Sequence, residues 1–194
     1  MAKGPSYRRP NRRRVEGKTN YHRRLRLLKS RQLRVVIRAS NNHIRVQIIK
    51  SNVGGDIVLV SAFSNELSSK FGWKGNTGNI PAAYLTGYLA GIRAKKKKIE
   101  NAILDLGVFY HKNRVLAAFK GVLDTGIEVP YGEGFLPETI EDQIKGIHIE
   151  NYAKQLKKED SEIYSQKFSG YLKENINPLK ISQNFSNTLK KIKS

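Results

Sequence analysis

Three runs of apolar residues near the start of the chain predict β-strands. They share β-branched or alternating apolar positions and cover residues 33–39, 44–50 and 57–63. In the second run Ile44, Val46 and Ile48 alternate with polar side chains, as they do in a half-buried strand. Polar turns at residues 40–43 and 54–56 separate the runs. Connections this short join antiparallel neighbours, so we expect a three-stranded meander.

The middle of the chain adds two predicted helices and two short strands. A helix is expected to run from Pro81 to about Lys98, with Asn79 as its N-cap and small residues for close packing on a sheet. The later apolar runs predict a buried parallel strand, a second helix and a last short strand, over residues 102–106, 114–124 and 127–129. The order β-β-β-α-β-α-β predicts an α/β fold, a mixed sheet covered by helices.

The N-terminal segment has a different pattern. Residues 1–18 combine Arg clusters with Pro and Gly and almost nothing apolar, so they are expected to be disordered when free. Residues 19–30 place Tyr21, Leu25 and Leu28 at helical spacing and predict a short amphipathic helix. We expect that stripe to dock on the core while the Arg side chains face outward.

The C-terminal segment, beyond about residue 136, is helical in pattern and rich in Lys. The chain is therefore predicted to have three parts: a basic arm with the first helix, an α/β core and a helical extension, over residues 1–32, 33–135 and 136–194.

The charge of the chain requires a polyanionic partner. The 194 residues contain 36 Lys and Arg against 16 Asp and Glu, which gives a net charge of +20. The excess is concentrated at one end, because residues 1–38 hold 14 of the basic residues and Glu16 is their only acid. Nucleic acid, an anionic membrane and an acidic protein all satisfy the sign. The uneven distribution favours RNA, and the first helix lacks the aromatic face of an interfacial membrane helix.

Catalysis and metal binding find little support. The chain has no Cys and only four His residues, so neither a thiolate metal site nor a cofactor site is expected. A two-metal nuclease is the alternative enzyme hypothesis, and it needs converging carboxylates that begin on the first strand. The run 33–39 contains none, and Asp56, Asp105 and Asp124 are spread over separate elements. We expect these acids to be structural.

Three long motifs resemble a known family. They read RRRVEGKTNYHRRLRLLKS over residues 12–30, RASNNHIR over residues 38–45 and TGNIPAAYLTG over residues 77–87. These motifs closely resemble large-subunit ribosomal protein eighteen in its archaeal form, and the resemblance extends from about Gly4 to the C-terminal helices.

The resemblance implies a fold and a set of partners. The fold would be a ribonuclease-H-like α/β core with a basic N-terminal extension. The function would be structural: to bind 5S rRNA and help attach it to the large-subunit (23S-type) rRNA in the central protuberance. Neighbouring large-subunit proteins, ribosomal protein five among them, would be further partners. The implied location is the cytoplasmic ribosome, with no membrane contact and no cofactor.

Charge and resemblance together select the candidate RNA-binding residues. They lie in the arm, on and beside the first hairpin turn, and in the loop near residue 73: Lys3, Tyr7, Arg8, Arg9, Arg12, Arg13, Arg14, Lys18, Asn20, His22, Arg23, Arg24, Arg26, Lys29, Arg31, Arg38, Ser40, Asn41, Asn42, His43, Arg45, Gln47, Lys70, Trp73 and Lys74.

The aromatic candidates carry different expectations. Tyr7 lies among Arg residues and is the better candidate for stacking on a base, whereas Tyr21 belongs to the apolar stripe of the first helix and is expected in the core. For Trp73, RNA contact and simple packing remain equal alternatives. The segment 77–79 before the long helix could bind a phosphate or only cap the helix.

Overall fold

A four-stranded mixed sheet organises the structure, a computed structural model that describes residues 4–108 and 113–193. The first three strands form the antiparallel meander that the sequence predicts: β1 (Arg34–Ala39), β2 (Ile44–Asn52) and β3 (Gly55–Phe63). A short strand, β4 (Ile103–Asp105), pairs with β1 in parallel, which confirms that prediction too. The strand order is β3-β2-β1-β4.

Helices make up most of the remaining described residues. In chain order they are α1 (Arg12–Val15), α2 (Tyr21–Lys29), α3 (Asn65–Phe71), α4 (Ile80–Lys96), α5 (Asn113–Leu123), α6 (Ile140–Lys145), α7 (Ile147–Glu159), α8 (Ser161–Lys167), α9 (Ser169–Lys173) and α10 (Ile181–Lys193), with a 3₁₀ turn at Pro178–Lys180. The hydrophobic pattern predicts α2, α4 and α5 and the helical extension. It does not predict α1 or α3.

The predicted fifth strand is not formed. Residues 127–129 contribute only a single parallel bridge, between Asn101 and Glu128. Pro130 follows directly and has no N–H to continue a ladder, so the pairing ends there. Ile127 and Val129 are nevertheless buried, so this segment packs as part of the core without being a strand.

One face of the sheet carries the main hydrophobic core. Ile44, Val46 and Ile48 point into it and are fully buried, as their alternation predicts. Helices α4 and α5 cover this face and cross each other closely. Gly87 and Gly121 lie at their crossing, where a Cβ on either would collide with backbone of the other helix. The missing side chains therefore set the distance between α4 and α5.

The helical extension shares this core. Helices α6 and α10 contribute buried apolar side chains to it, namely Ile140, Ile144, Ile181, Phe185 and Ile192. The Phe185 ring lies 5.7 Å from that of Tyr84 on α4. Helices α6 and α10 are thus packed on the helical layer of the molecule.

Strand β3 is an edge strand, and α4 covers part of its exposed backbone. Arg93 donates to the carbonyl of Ser61, and Lys97 Nζ donates to the carbonyl of Leu59 at 2.6 Å. Arg93 also binds Glu66, with 2.6 Å between Nη2 and Oε2. Cations on unpaired strand carbonyls discourage pairing with another chain. The hydrogen bond from Arg93 holds the pKa of Glu66 below its usual value, although burial opposes this.

We expect Gly87→Ala to destabilise the protein by about 1–3 kcal/mol, because the new Cβ must push α5 away at Ala118. Urea unfolding should show a lower midpoint with an unchanged slope. Gly170→Ala is the matched control: its Cβ meets nothing within 4 Å, and helix propensity alone should stabilise α9 by roughly 0.5–1 kcal/mol. A neutral Gly87→Ala would contradict the tight crossing.

We expect Glu66→Gln to lower the free energy of unfolding at pH 7. The variant should also lose less of its stability than the parent protein as pH falls. Because the folded pKa of Glu66 lies below 4.5, the unfolded chain binds more protons, so this carboxylate stabilises above that pH and stops doing so as pH falls further. Urea unfolding between pH 7 and pH 3 measures both effects. The exposed Glu138 provides the control, Glu138→Gln, and equal pH profiles for the two variants would refute the expectation.

Candidate nucleic-acid interface

The other face of the sheet is polar, and the basic arm lies against it. Arg34, Val36 and Arg38 point to this second face because side chains alternate along β1. Helix α2 begins at Asn20, whose side chain accepts a hydrogen bond from the Arg23 backbone N–H and caps the helix. Capping thus confirms the helix start that the sequence suggests.

Two arginines of α2 attach it to the body. Arg23 Nη1 donates to the carbonyl of Gly107, just after β4, at 2.9 Å. Arg24 Nη2 lies 2.9 Å from Asp56 Oδ2 on β3. Charged hydrogen bonds at two points fix both the position and the rotation of the helix on the sheet.

The expected docking stripe of α2 is wrong. Leu25 is 55% exposed, and no residue of α2 is fully buried. Arg23, expected to face outward, is exposed but donates to the body, and its neighbour Arg24 is half-buried and pairs with Asp56. Arg26 is exposed as predicted. The reason is the character of the second face: it offers carboxylate and carbonyl acceptors where an apolar stripe would need an apolar surface.

Arg34 links the arm to the sheet, and no prediction from the sequence included it. Its side chain is 1% exposed, with Nη2 at 2.8 Å from Asp56 and Nη1 at 2.7 Å from Asp105. Asp105 also accepts from Arg38 Nη2 at 3.1 Å, and Asp56 is the partner of Arg24. The result is a chain of alternating charges. An arginine within an otherwise β-branched run is the one sequence signal for it.

The carboxylate of Asp56 is held ionised by its two arginines. Burial tends to raise the pKa of Asp56, but hydrogen bonds and positive charge from Arg24 and Arg34 outweigh it, so the pKa lies below the usual value. The sequence treats Asp56 and Asp105 as scattered, whereas the fold brings them together around Arg34. Asp124 stays apart, where it accepts from the Tyr84 hydroxyl at 2.8 Å and, with burial, raises the pKa of that group.

A cleft of about 490 Å³ remains between the arm and the second face; we call it the arm cleft. Five cationic side chains line it: Arg13, Lys18, Arg23, Arg24 and Arg38. Among the described residues, the lining carboxylates are Asp56 and Asp105. Both pair with Arg34, and they also pair with Arg24 and Arg38 respectively, so cationic side chains outnumber them. The cleft is therefore a site of positive potential.

The β1–β2 turn is held by hydrogen bonds within the turn and from two other segments of the chain. Ser40 and His43 bond each other across the turn, and Arg114 Nη1 donates to the carbonyl of Ser40 at 2.8 Å. Thr77 Oγ1 lies 3.0 Å from His43 Nδ1. The turn thus presents Asn41 and Asn42 to solvent, while His43 is half-buried and occupied.

The structure separates the remaining candidates. Trp73 is 2% exposed, belongs to the core cluster and donates from Nε1 to the carbonyl of Asn76, so the packing alternative holds. Lys70 and Lys74 are exposed near it, but α3 packs with α4 and α10 on the helical side. Asn79 caps α4 through Ala82 N, so the capping alternative accounts for that side chain.

Most arm candidates are exposed. These are Tyr7, Arg8, Arg9, Arg12, Arg13, Arg14, Lys18, Asn20, His22, Arg23, Arg26, Lys29 and Arg31. Arg24 is half-buried, as is Tyr21, which lines the arm cleft and is absent from the core cluster where the sequence places it. Residues 12–15, expected to be disordered, form α1. Lys3 lies outside the described residues.

Strand register adds further polar side chains to the second face. Arg38 lies opposite Arg45, and Val36 lies opposite Gln47. Arg45 is exposed, with its guanidinium 5.1 Å from the centre of the Phe63 ring. Arg38, Arg45 and Gln47 therefore lie on the face of the sheet that borders the arm cleft.

Two structural findings bear on the nuclease and membrane hypotheses. Within residues 4–108 and 113–193, no cluster of three or more His, Asp or Glu side chains has the geometry to hold a metal ion. No helix among these residues is long and apolar enough to cross a membrane.

Comparison with known proteins identifies the family. Residues 6–105 match the family described as ribosomal large subunit proteins 60S L5 and 50S L18. Large ribosomal subunit protein uL18 of Saccharolobus solfataricus is 45% identical over this whole chain and 97% of its own length. The uL18 protein of Aeropyrum pernix is 48% identical over 92% of this chain and 83% of its own length. The chain therefore belongs to the 60S L5 and 50S L18 family, whose members are structural proteins of the large ribosomal subunit and not enzymes.

Proposed function

We propose that this large-subunit protein binds 5S rRNA and helps attach it to the large-subunit rRNA in the central protuberance. The observation that carries the proposal is the basic arm docked on the second face. Its guanidinium groups are exposed on one side of a folded body, and α2 is fixed there by Arg23 and Arg24. A rigid array of this kind suits a folded RNA of defined shape.

The chemistry of the arm favours phosphate as its ligand. Arginine has five donors in a planar fork, so it can bind two phosphate oxygens at once, and Arg predominates over Lys here. Arg8, Arg9 and Arg14 have no acid in their vicinity along the chain except Glu16, which pairs with Arg12 and Lys18. Most of the arm's charge is thus uncompensated and available to a polyanion.

The β1–β2 turn supplies a second contact in this proposal. Its backbone is fixed by Arg114, so Asn41 and Asn42 reach RNA without ordering the turn first. Side-chain amides can donate to and accept from sugar hydroxyls and base edges. Arg38, Arg45 and Gln47 extend this surface across the sheet.

We assign different tasks to the three parts of the chain. In the proposal, residues 1–32 hold 5S rRNA and residues 33–135 provide the rigid support. Residues 136–194 face large-subunit rRNA and neighbouring proteins, ribosomal protein five among them. The core is proposed to be ribonuclease-H-like; the order β3-β2-β1-β4 with a parallel bridge beyond β4 supports that view.

Four arm arginines provide the test of RNA binding. We expect the protein to prefer 5S rRNA over a random duplex of equal length. Changing Arg8, Arg9, Arg12 and Arg14 to Gln should lower the slope of log affinity against log salt by about three, since each lost phosphate contact removes roughly 0.7–0.9. Filter binding at several salt concentrations measures this.

The control neutralises four exposed lysines of the extension instead: Lys154, Lys157, Lys158 and Lys167. It has the same net charge as the arm variant and should keep most of the slope for isolated 5S rRNA. Equal slopes for the two variants would show that the effect is one of net charge alone. No preference for 5S rRNA, with absence from purified large subunits, would overturn the proposal.

We expect Asp56→Asn to loosen the arm while leaving the core intact. The variant removes the charged link between α2 and β3, although Arg34 keeps Asp105 as its partner. Hydrogen exchange of the α2 amides should become faster, with little change in α4. Glu16→Gln is the control, because Glu16 pairs only within the arm among the ion pairs described. Unchanged α2 exchange in Asp56→Asn would contradict docking through this pair.

A further inference from the structure

We propose that the arm cleft receives a single unpaired nucleotide of the bound RNA, and this rests on the proposed RNA-binding function. The cleft lies between α2 and the second face of the sheet. Its volume of about 490 Å³ falls in the range of small-molecule sites, which is more than a phosphate needs and far less than a duplex occupies. A single nucleotide turned out of its helix is of a size to enter such a space.

The charge of the cleft suits the phosphate of that nucleotide. Arg13 and Lys18 line its outer side from the arm, and Arg23 and Arg24 line it from α2. Each of the three arginines uses part of its fork on the protein, for Arg13 through a bond from Nε to Thr19. An arginine has five donors, so Arg13 and Arg24 keep donors for an anion while their positions are fixed.

The uncharged lining suits a base. Tyr21 and Leu27 are half-buried and face the cleft, although neither belongs to the hydrophobic core. Neither an aromatic ring nor an aliphatic side chain contributes to phosphate binding, but both can contact a base. Unpaired bases are commonly held by stacking on aromatic rings and on flat guanidinium groups.

Arg38 supplies a flat guanidinium on the sheet side. Its Nη1 donates to the carbonyls of Ile37 and Asp105, and its Nη2 donates to Asp105 Oδ1. These three bonds fix the plane of the group, and 41% of the side chain remains exposed. Arg34 acts here as a positioning residue, since it holds Asp105 in place for Arg38 and Asp56 in place for Arg24.

A cleft-filling variant tests the proposal without altering charge. Leu27→Trp places a bulky side chain in the arm cleft, whereas Leu25→Trp is a control on the exposed side of the same helix. The assay is chemical probing of 2′-hydroxyl reactivity along full 5S rRNA bound to the full-length protein. We expect an unpaired nucleotide that is protected by the parent protein and by Leu25→Trp, but reactive with Leu27→Trp.

Affinity should change in parallel. Loss of one stacked base is expected to weaken binding by about tenfold or more, while the salt slope stays the same because no phosphate contact is removed. Should Leu27→Trp fail to fold by circular dichroism, Tyr21→Ala removes the stacking ring and should give the same two results.

The outcomes separate the two proposals. If the parent protein binds 5S rRNA but protects only paired nucleotides, or if the filled cleft keeps both protection and affinity, the nucleotide site is refuted while 5S binding stands. If the parent protein shows no preference for 5S rRNA, the proposed function fails and the nucleotide site fails with it.

Discussion

The ion pairs of Arg34 are the interaction on which the second face of the sheet and the arm docked on it depend. A guanidinium that is 1% exposed must be paired, because an isolated buried charge is very unfavourable. Asp56 and Asp105 provide that pairing, and each carboxylate has a further arginine as partner on its other side. One of those partners belongs to the arm and the other to the sheet. The need of the buried Arg34 for carboxylate partners therefore also places Asp56 where it can bind α2 through Arg24.

The rest of the fold gives this network a rigid frame. The glycines at the crossing of α4 and α5 let two helices lie close on the apolar face of the sheet, and α6 and α10 add to the same core. Arg93 and Lys97 cover carbonyls of the edge strand β3, the strand that also carries Asp56 near its start. The apolar face and the protected edge therefore hold the polar face in shape. That polar face can then be used entirely for charge.

Two kinds of arginine follow from this arrangement. Arg34, Arg24 and Arg38 are paired with carboxylates, so they shape the surface more than they add to its potential. Arg8, Arg9, Arg14 and Arg26 are exposed and have no carboxylate partner among the ion pairs described, so they add directly to the positive potential of the surface. In the proposed function, a polyanion meets the second kind at long range and the first kind at contact. The proposal thus assigns affinity and shape selection to different residues of one short segment.

Local pattern was sufficient for the meander, β4 and most of the longer helices, since alternation and helical spacing depend on neighbouring residues. It missed α1 and α3 and predicted a fifth strand that is not formed. The meander, α4 with its Asn79 cap, the parallel strand β4 and the excess of charge in residues 1–38 are all visible in that pattern. Contacts between residues distant in sequence were not visible in the local pattern. Trp73 lies near Lys70 and Lys74 in the sequence, yet it is buried in the core. Helix α2 docks through Arg23 and Arg24 because the Gly107 carbonyl and Asp56 accept their hydrogen bonds. The surface on which a short amphipathic helix docks decides which of its sides faces inward. That surface is built from residues that are distant in sequence, so it exists only in the folded protein.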